Sequence, residues 1–95
     1  PSINSLSAST IGDSTATLEA TVTPNGAATS VVFEYGTTTS YGAATSQQAA
    51  GAGNSPVGVS TLLGGLQANT TYHYRAVATN SQGSTASADR TFTTA

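Results

Sequence analysis

The apolar residues of this chain recur at every second position, and no segment shows helical periodicity. The run from Thr15 to Thr23 is the clearest case, because Leu18, Ala20 and Val22 alternate with polar residues. Successive side chains of a β-strand point to opposite faces, so this pattern predicts a strand with one buried face. The period of the apolar residues therefore predicts an all-β fold.

Clusters of glycine, asparagine, proline and serine, which favour turns, separate these short runs. The runs predict seven strands, at residues 3–9, 15–23, 29–35, 43–48, 57–63, 71–80 and 86–94. By composition, residues 49–56 are a loop and residues 81–84 a turn. Seven short strands at regular spacing are typical of an antiparallel, immunoglobulin-like β-sandwich. We expect one such domain to span residues 1–95.

Charge is sparse, since charged residues make up 6% of the chain against about 25% in average soluble domains. Lysine is absent and no basic run occurs, so we expect no binding of nucleic acid. No apolar run approaches the ~20 residues that a membrane-spanning helix needs, so no membrane insertion is expected. Serine, threonine, alanine and glycine dominate instead, which is typical of repetitive secreted or cell-surface proteins.

Side chains that could carry catalysis or bind a metal are few. With no cysteine and only one histidine, His73, the chain lacks a common zinc ligand set. Alternation puts Glu19 and Glu34 on separate outer faces, so they are not expected to flank a glycosidic bond. Asp13 and Asp89 are isolated in the sequence, whereas calcium takes roughly 6–8 oxygen ligands. We therefore expect no catalysis, no cofactor and no metal.

Residues 65–80 resemble the E–F corner and F strand of fibronectin type III domains. The matching residues of this segment are Leu66, Tyr72, Ala78 and Asn80. The runs 22–26 and 33–36 resemble bacterial extracellular members of that family in particular. The resemblance covers essentially the whole chain, and it implies the same seven-stranded sandwich that the alternation predicts.

The resemblance also implies that Tyr72 is the tyrosine corner of the family. Its ring would lie in the core, and its hydroxyl would bond to the backbone near Leu66–Ala68. The sequence departs from the family where Val22 replaces a common tryptophan and where residues 68–69 replace Pro-Gly. The turn of residues 80–87 lacks Arg-Gly-Asp, so integrin adhesion is not implied.

Alternation along the third and sixth predicted strands defines a shared outer face, which is a candidate interaction surface. Its members are Val32, Glu34, His73, Arg75, Val77 and Thr79. A cross-strand pair, either Glu34–Arg75 or Glu34–His73, would contribute roughly 0.2–1 kcal/mol. The face is either a solvated surface with such a pair or a contact surface for a neighbouring domain, a second copy or a glycan.

Three further residues lead to separate expectations. Tyr41, in the link after the third strand, is the only aromatic residue expected to be free, which makes it the candidate glycan contact. Asn69 fits an N-glycosylation pattern, although a turn-forming role accounts for the same residue. Arg90 falls by alternation on the buried face of Phe92, so a bulge or an open end of the sandwich is expected there.

These observations lead to two candidate functions. The first is a non-catalytic structural spacer or protein-interaction module of a secreted or cell-surface bacterial protein. Its partners would be neighbouring domains or copies of itself, and residues 91–95 followed by residues 1–3 would form a natural junction in a tandem array. The alternative is a carbohydrate-binding accessory module of a secreted polysaccharide-degrading enzyme, with polysaccharide as its partner.

Overall fold

The computed structural model describes residues 1–95 and consists of β-strands joined by turns and loops. The strands are β1 (Ser2–Ser9), β2 (Ala16–Thr23), β3 (Thr29–Gly36), β4 (Ala43–Ala44), β5 (Gln48–Gly51), β6 (Val57–Leu63), β7 (Thr71–Asn80), β8 (Gly83–Ala86) and β9 (Arg90–Thr93). Strands β1, β2 and β6 form a three-stranded antiparallel sheet, and the other six form the second sheet. The chain has no helix of the length and apolarity that crossing a membrane requires.

The core lies between the two sheets and follows the predicted alternation. Every second residue of β2, from Ala16 to Val22, is buried, and β7 shows the same alternation. Phe33 and Leu18 are the largest fully buried side chains, one from each sheet. Burying a large apolar side chain contributes about 1.5–3 kcal/mol, so a lean core of such residues holds the two sheets together.

The strand prediction is wrong in two places. The strand predicted at residues 43–48 is interrupted, and its second part, β5, includes residues 49–51 of the predicted loop. The last predicted strand is also interrupted, and its first part, β8, begins at Gly83 inside the predicted turn. Strands β4 and β5 both pair with β3, while β8 and β9 both pair with β7. Each pair of segments forms one broken outer strand, so the seven-stranded sandwich architecture is confirmed.

A hydroxyl side chain replaces a backbone partner at each interruption. The Thr45 N–H donates to the Phe33 carbonyl (2.8 Å), and the Phe33 N–H donates to Thr45 Oγ1 (3.0 Å). In the same way, the Ser87 N–H donates to the Ala76 carbonyl (2.8 Å), and the Ala76 N–H donates to Ser87 Oγ (2.9 Å). Alternation does not reveal these breaks, because serine and threonine occur both in strands and in turns.

Hydrogen bonds with Tyr72 and Thr94 hold the turn before β7 in place. The Gln67 N–H donates to the Tyr72 hydroxyl (2.8 Å), and Thr94 Oγ1 donates to the Gln67 carbonyl (2.6 Å). Leu66 is buried, and its N–H donates to the Ser14 carbonyl (3.0 Å). The turn is therefore bonded to β7, to the last residues of the chain and to the loop between β1 and β2.

Two asparagines fix the chain where it leaves regular structure. Asn69 has a φ of 52° and is exposed, and asparagine tolerates this left-handed conformation better than most residues. Asn80, at the end of β7, donates to the Pro24 carbonyl at 3.0 Å. This bond connects the end of β7 to the turn between β2 and β3.

We predict that Tyr72→Phe lowers the free energy of unfolding by about 1–3 kcal/mol. The substitution leaves the partly buried Gln67 N–H without its acceptor. Urea unfolding followed by circular dichroism measures the loss. Tyr74→Phe is the matched control, because it removes a hydroxyl from a buried ring of the same strand and leaves the Gln67 bond intact. An equal loss in both variants would contradict the role of this bond.

Candidate functional site

One tyrosine and four ionisable side chains meet on the outer face of the six-stranded sheet. We call Glu34, Tyr41, His73, Arg75 and Asp89 the polar cluster. Glu34 lies on β3, His73 and Arg75 lie on β7, and the other two lie in the segments after β3 and after β8. The cluster holds the only histidine and three of the six charged residues of the chain. It is therefore the main concentration of charge on a charge-poor molecule.

The register of β3 and β7 decides which cross-strand pair forms. Glu34 lies directly opposite Arg75, and Arg75 Nε donates to Glu34 Oε1 at 2.6 Å. Of the two pairs that the sequence left open, the structure thus has Glu34–Arg75. The hydrogen bond to Glu34 raises the pKa of Arg75. Both side chains are partly exposed, and exposed ion pairs contribute about 0–1 kcal/mol.

His73 pairs instead with Asp89, which the sequence analysis left isolated. The His73 Nδ1 and Asp89 Oδ2 atoms lie 2.8 Å apart, and the Tyr41 hydroxyl donates to Asp89 Oδ1 at 2.9 Å. The hydrogen bond from His73 holds the pKa of Asp89 below its usual value. Asp89 reaches this position because the outer strand is broken between β8 and β9. Alternation carries no signal for that break, so sequence reasoning missed Asp89.

The expectation that Tyr41 is free is wrong. The Arg75 guanidinium carbon lies 4.9 Å from the centre of the Tyr41 ring, a distance typical of a cation–π contact. Desolvation, followed by the hydrogen bond to Asp89, raises the pKa of the Tyr41 hydroxyl. The ring is therefore held from two sides and is half-buried.

Gly36 determines where Tyr41 lies. A Cβ atom at position 36 would come within 1.5 Å of the Tyr41 carbonyl oxygen, so the backbone of Tyr41 packs directly on the glycine. Tyr41 itself has a φ of 61°, in the left-handed region that a bulky residue rarely adopts. The loop therefore holds the backbone of Tyr41 against β3, and it does so at some cost in backbone strain.

The remaining residues of the predicted face continue the same surface. Val32 lies opposite Val77 in the β3–β7 ladder, next to the Glu34–Arg75 pair, and both valines are partly buried. Thr79 lies further along β7, opposite Ser30, and is exposed. The predicted face therefore forms one side of the sheet, with the polar cluster at one end.

The chemistry of the polar cluster suits recognition. It combines an aromatic ring, two carboxylates, an imidazole and a guanidinium on one accessible surface. Its members bond to one another, and side chains held by such bonds lose less conformational entropy on binding than free ones.

Comparison with known proteins identifies the fold of the chain and gives no information on the polar cluster. No family model matches the sequence, and no curated protein does. Among solved structures, the sensor domain of the anti-sigma factor RsgI4 from Pseudobacteroides cellulosolvens is similar over 98% of this chain and 72% of that one, with a TM-score of 0.68 and 22% identity. The third fibronectin III domain of human KIAA0343 protein is similar over 97% of this chain and 79% of that one, with a TM-score of 0.62 and 17% identity.

This chain has a fibronectin type III-like fold. A computationally redesigned β-sandwich protein is also similar, over 97% of this chain and 92% of that one, with a TM-score of 0.60 and 26% identity. In this fibronectin type III-like domain, the polar cluster occupies the outer face of the sheet built on β3 and β7.

We predict that Gly36→Ala displaces residues 37–42 and breaks the contacts of Tyr41 with Arg75 and Asp89. The added methyl group cannot share space with the Tyr41 carbonyl, which is backbone and cannot rotate away. Two-dimensional NMR measures the result through the shifts of the Tyr41 ring protons and their cross-peaks to Arg75.

Gly58→Ala is the control, since a Cβ atom there meets no other atom within 4 Å. We expect the fibronectin type III-like domain to keep the Tyr41 contacts in that variant. Retention of the contacts in Gly36→Ala would show that the glycine is not what positions the ring.

Proposed function

We propose that this domain is a non-catalytic spacer and protein-interaction module of a secreted or cell-surface bacterial protein. The observation that carries the proposal is the position of its two chain ends. A module that the chain enters at one end and leaves at the other extends a polypeptide, whereas adjacent ends would fold it back.

The first residues are bonded to one end of the sandwich. The Pro1 carbonyl accepts a hydrogen bond from Thr85 Oγ1 (2.7 Å), and Asn25 Nδ2 donates to Ser2 Oγ (3.1 Å). These contacts connect the start of the chain to β8 and to the turn after β2.

The last residue is bonded to the opposite end. The Ala95 N–H donates to the Gly12 carbonyl (2.9 Å), and the Asn69 N–H donates to the Ala95 carbonyl (3.1 Å). Gly12 belongs to the loop that follows β1, so it lies a full strand length from Ser2. Eight residues of strand span about 26 Å at ~3.3 Å per residue. A chain passing through this domain therefore continues along its 41 Å long axis.

The composition of the chain and its similarity to solved structures support the proposal that the parent protein is a secreted or cell-surface bacterial protein. A surface of hydroxyl and small residues with few charges is typical of repetitive secreted or surface-attached proteins. The similarity to a sensor domain from a bacterial anti-sigma factor supports a bacterial interaction module. On this proposal, the polar cluster contacts a neighbouring domain or a second copy of the chain.

We predict that four copies joined directly, Ala95 to Pro1, form an extended rod. Small-angle X-ray scattering should show the maximum dimension growing by close to the 41 Å length of one domain with each added copy. The control is the same four copies joined by ~12-residue Gly/Ser linkers, which behave as flexible coils. A direct fusion as compact or as flexible as the control would argue against a spacer, provided that urea unfolding shows each copy to be folded.

A second candidate function is a carbohydrate-binding accessory module of a secreted polysaccharide-degrading enzyme. The observation that favours it is the fixed ring of Tyr41 beside the carboxylates of Glu34 and Asp89. On this candidate, the face of the Tyr41 ring that Arg75 does not cover offers an apolar surface to the C–H groups of a sugar. Carboxylates and the guanidinium of Arg75 would bond its hydroxyl groups.

We predict for this candidate that the domain is retained on a soluble or insoluble polysaccharide and that Tyr41→Ala abolishes retention. Leu62→Ala is the matched control, because Leu62 is 69% exposed on the outer face of the other sheet. Retention of both variants would move the site away from Tyr41. Absence of retention on every polysaccharide would reject the carbohydrate-binding candidate and leave the spacer proposal untouched.

A further inference from the structure

The three-stranded sheet has two free edges. Strand β2 lies between β1 and β6, so each of these strands has a neighbour on one side only. An edge strand directs alternate N–H and C=O groups outward, where they readily pair with another chain. With eight and seven residues, β1 and β6 are long enough for such pairing.

Two of the usual means of protecting an edge, lysine and proline, are missing from both strands, and a register shift occurs in β1 alone, between Ile3 and Ser5. Lysine is absent from the chain, and Pro1 and Pro56 precede β1 and β6 instead of interrupting them. The formal net charge is −2 over 95 residues, so repulsion between two copies is weak. The middle of each edge strand therefore depends on other groups for protection.

A glutamine from the other sheet covers the edge of β6. Gln48 lies on β5, in the six-stranded sheet, and its Nε2 donates to the Ser60 carbonyl at 2.6 Å. Ser60 is the central residue of β6. The glutamine side chain therefore crosses the open side of the sandwich and occupies a backbone acceptor in the middle of the edge.

An arginine covers the edge of β1 on the opposite side. Arg90 lies on β9, and its Nη1 donates to the carbonyl of Leu6, a residue in the middle of β1. A bulge or an open end of the sandwich was expected at Arg90, and the structure has this residue at an open side, bridging the two sheets. The other two basic side chains, Arg75 and His73, bind carboxylates, whereas Arg90 binds a backbone carbonyl.

We propose that Gln48 and Arg90 are edge guards that prevent β1 and β6 from pairing with the same edges of a second copy of this chain. Each guard occupies a carbonyl that an incoming strand would need and fills the space in which it would lie. An incoming strand that buried the Arg90 charge without a partner would also cost free energy. This inference is independent of the proposed function, because it concerns the edges and neither the chain ends nor the polar cluster.

The test compares the wild type with Gln48→Ala, Arg90→Ala and the double variant by light scattering after size exclusion over a wide concentration range. We expect a monomeric wild type and self-association of the double variant that is at least about tenfold tighter, equivalent to ~1.4 kcal/mol. Hydrogen exchange should show new protection in β1 and β6 of the associated form. Gln47→Ala is the matched control, since Gln47 is the exposed neighbour of Gln48.

Loss of Arg90 makes the chain more negative, so association of that variant would occur against the net charge. A folded double variant that stays monomeric at every concentration overturns the proposal. The proposal is also overturned if the variant associates but the new protection from hydrogen exchange appears only in strands other than β1 and β6. If the double variant does not fold, Gln48→Met with Arg90→Met removes both donors without adding a charge, and the same two outcomes decide.

Discussion

The backbone at the centre of the six-stranded sheet sets the constraint on which the other features depend. Phe33 and Ala76 are fully buried and lie opposite each other on β3 and β7. A buried N–H or C=O group without a partner costs about 1–3 kcal/mol. The outer strands on both sides break at this row, and Thr45 and Ser87 supply the missing acceptor from their hydroxyls. These two bonds allow each outer strand to leave the sheet and return without an unpaired group in the core.

The polar cluster is a consequence of those breaks. Asp89 lies two residues after Ser87, where the chain leaves the sheet, and its carboxylate bonds to His73 and Tyr41. On the other side, the loop after β3 folds back onto Gly36 and brings the Tyr41 ring beneath Arg75. Individually, such exposed pairs contribute little to stability. Their concentration on one face of a molecule with six charged residues therefore adds little to the stability of the fold.

The two open sides of the sandwich follow a common design. On each side, one long polar side chain of the larger sheet reaches a backbone carbonyl of the smaller sheet, Gln48 on one and Arg90 on the other. The smaller sheet thereby gains contacts that its own three strands lack. A surface otherwise made of hydroxyl and small side chains makes such specific contacts more important, since charge repulsion between copies is weak.

The sequence by itself determined the regular strands, because alternation is a local property that the two-residue period of a strand imposes. It located β6 and β7 at their observed bounds and β1, β2 and β3 to within a residue. It also identified the outer face from Val32 to Thr79, since residues two apart on one strand share a face. The resemblance to fibronectin type III domains added the corner at Tyr72, whose hydroxyl bonds to Gln67.

Only the tertiary structure decided what depends on distances across the fold. The register of β3 and β7 selected Arg75 over His73 as the partner of Glu34. The breaks beside Phe33 and Ala76 brought Asp89 to a histidine 16 residues away and to a tyrosine 48 residues away. The approach of the Tyr41 carbonyl to Gly36 fixed the ring that alternation had left free. A periodic pattern states which face a side chain occupies, and it contains no information on which distant backbone will approach that face.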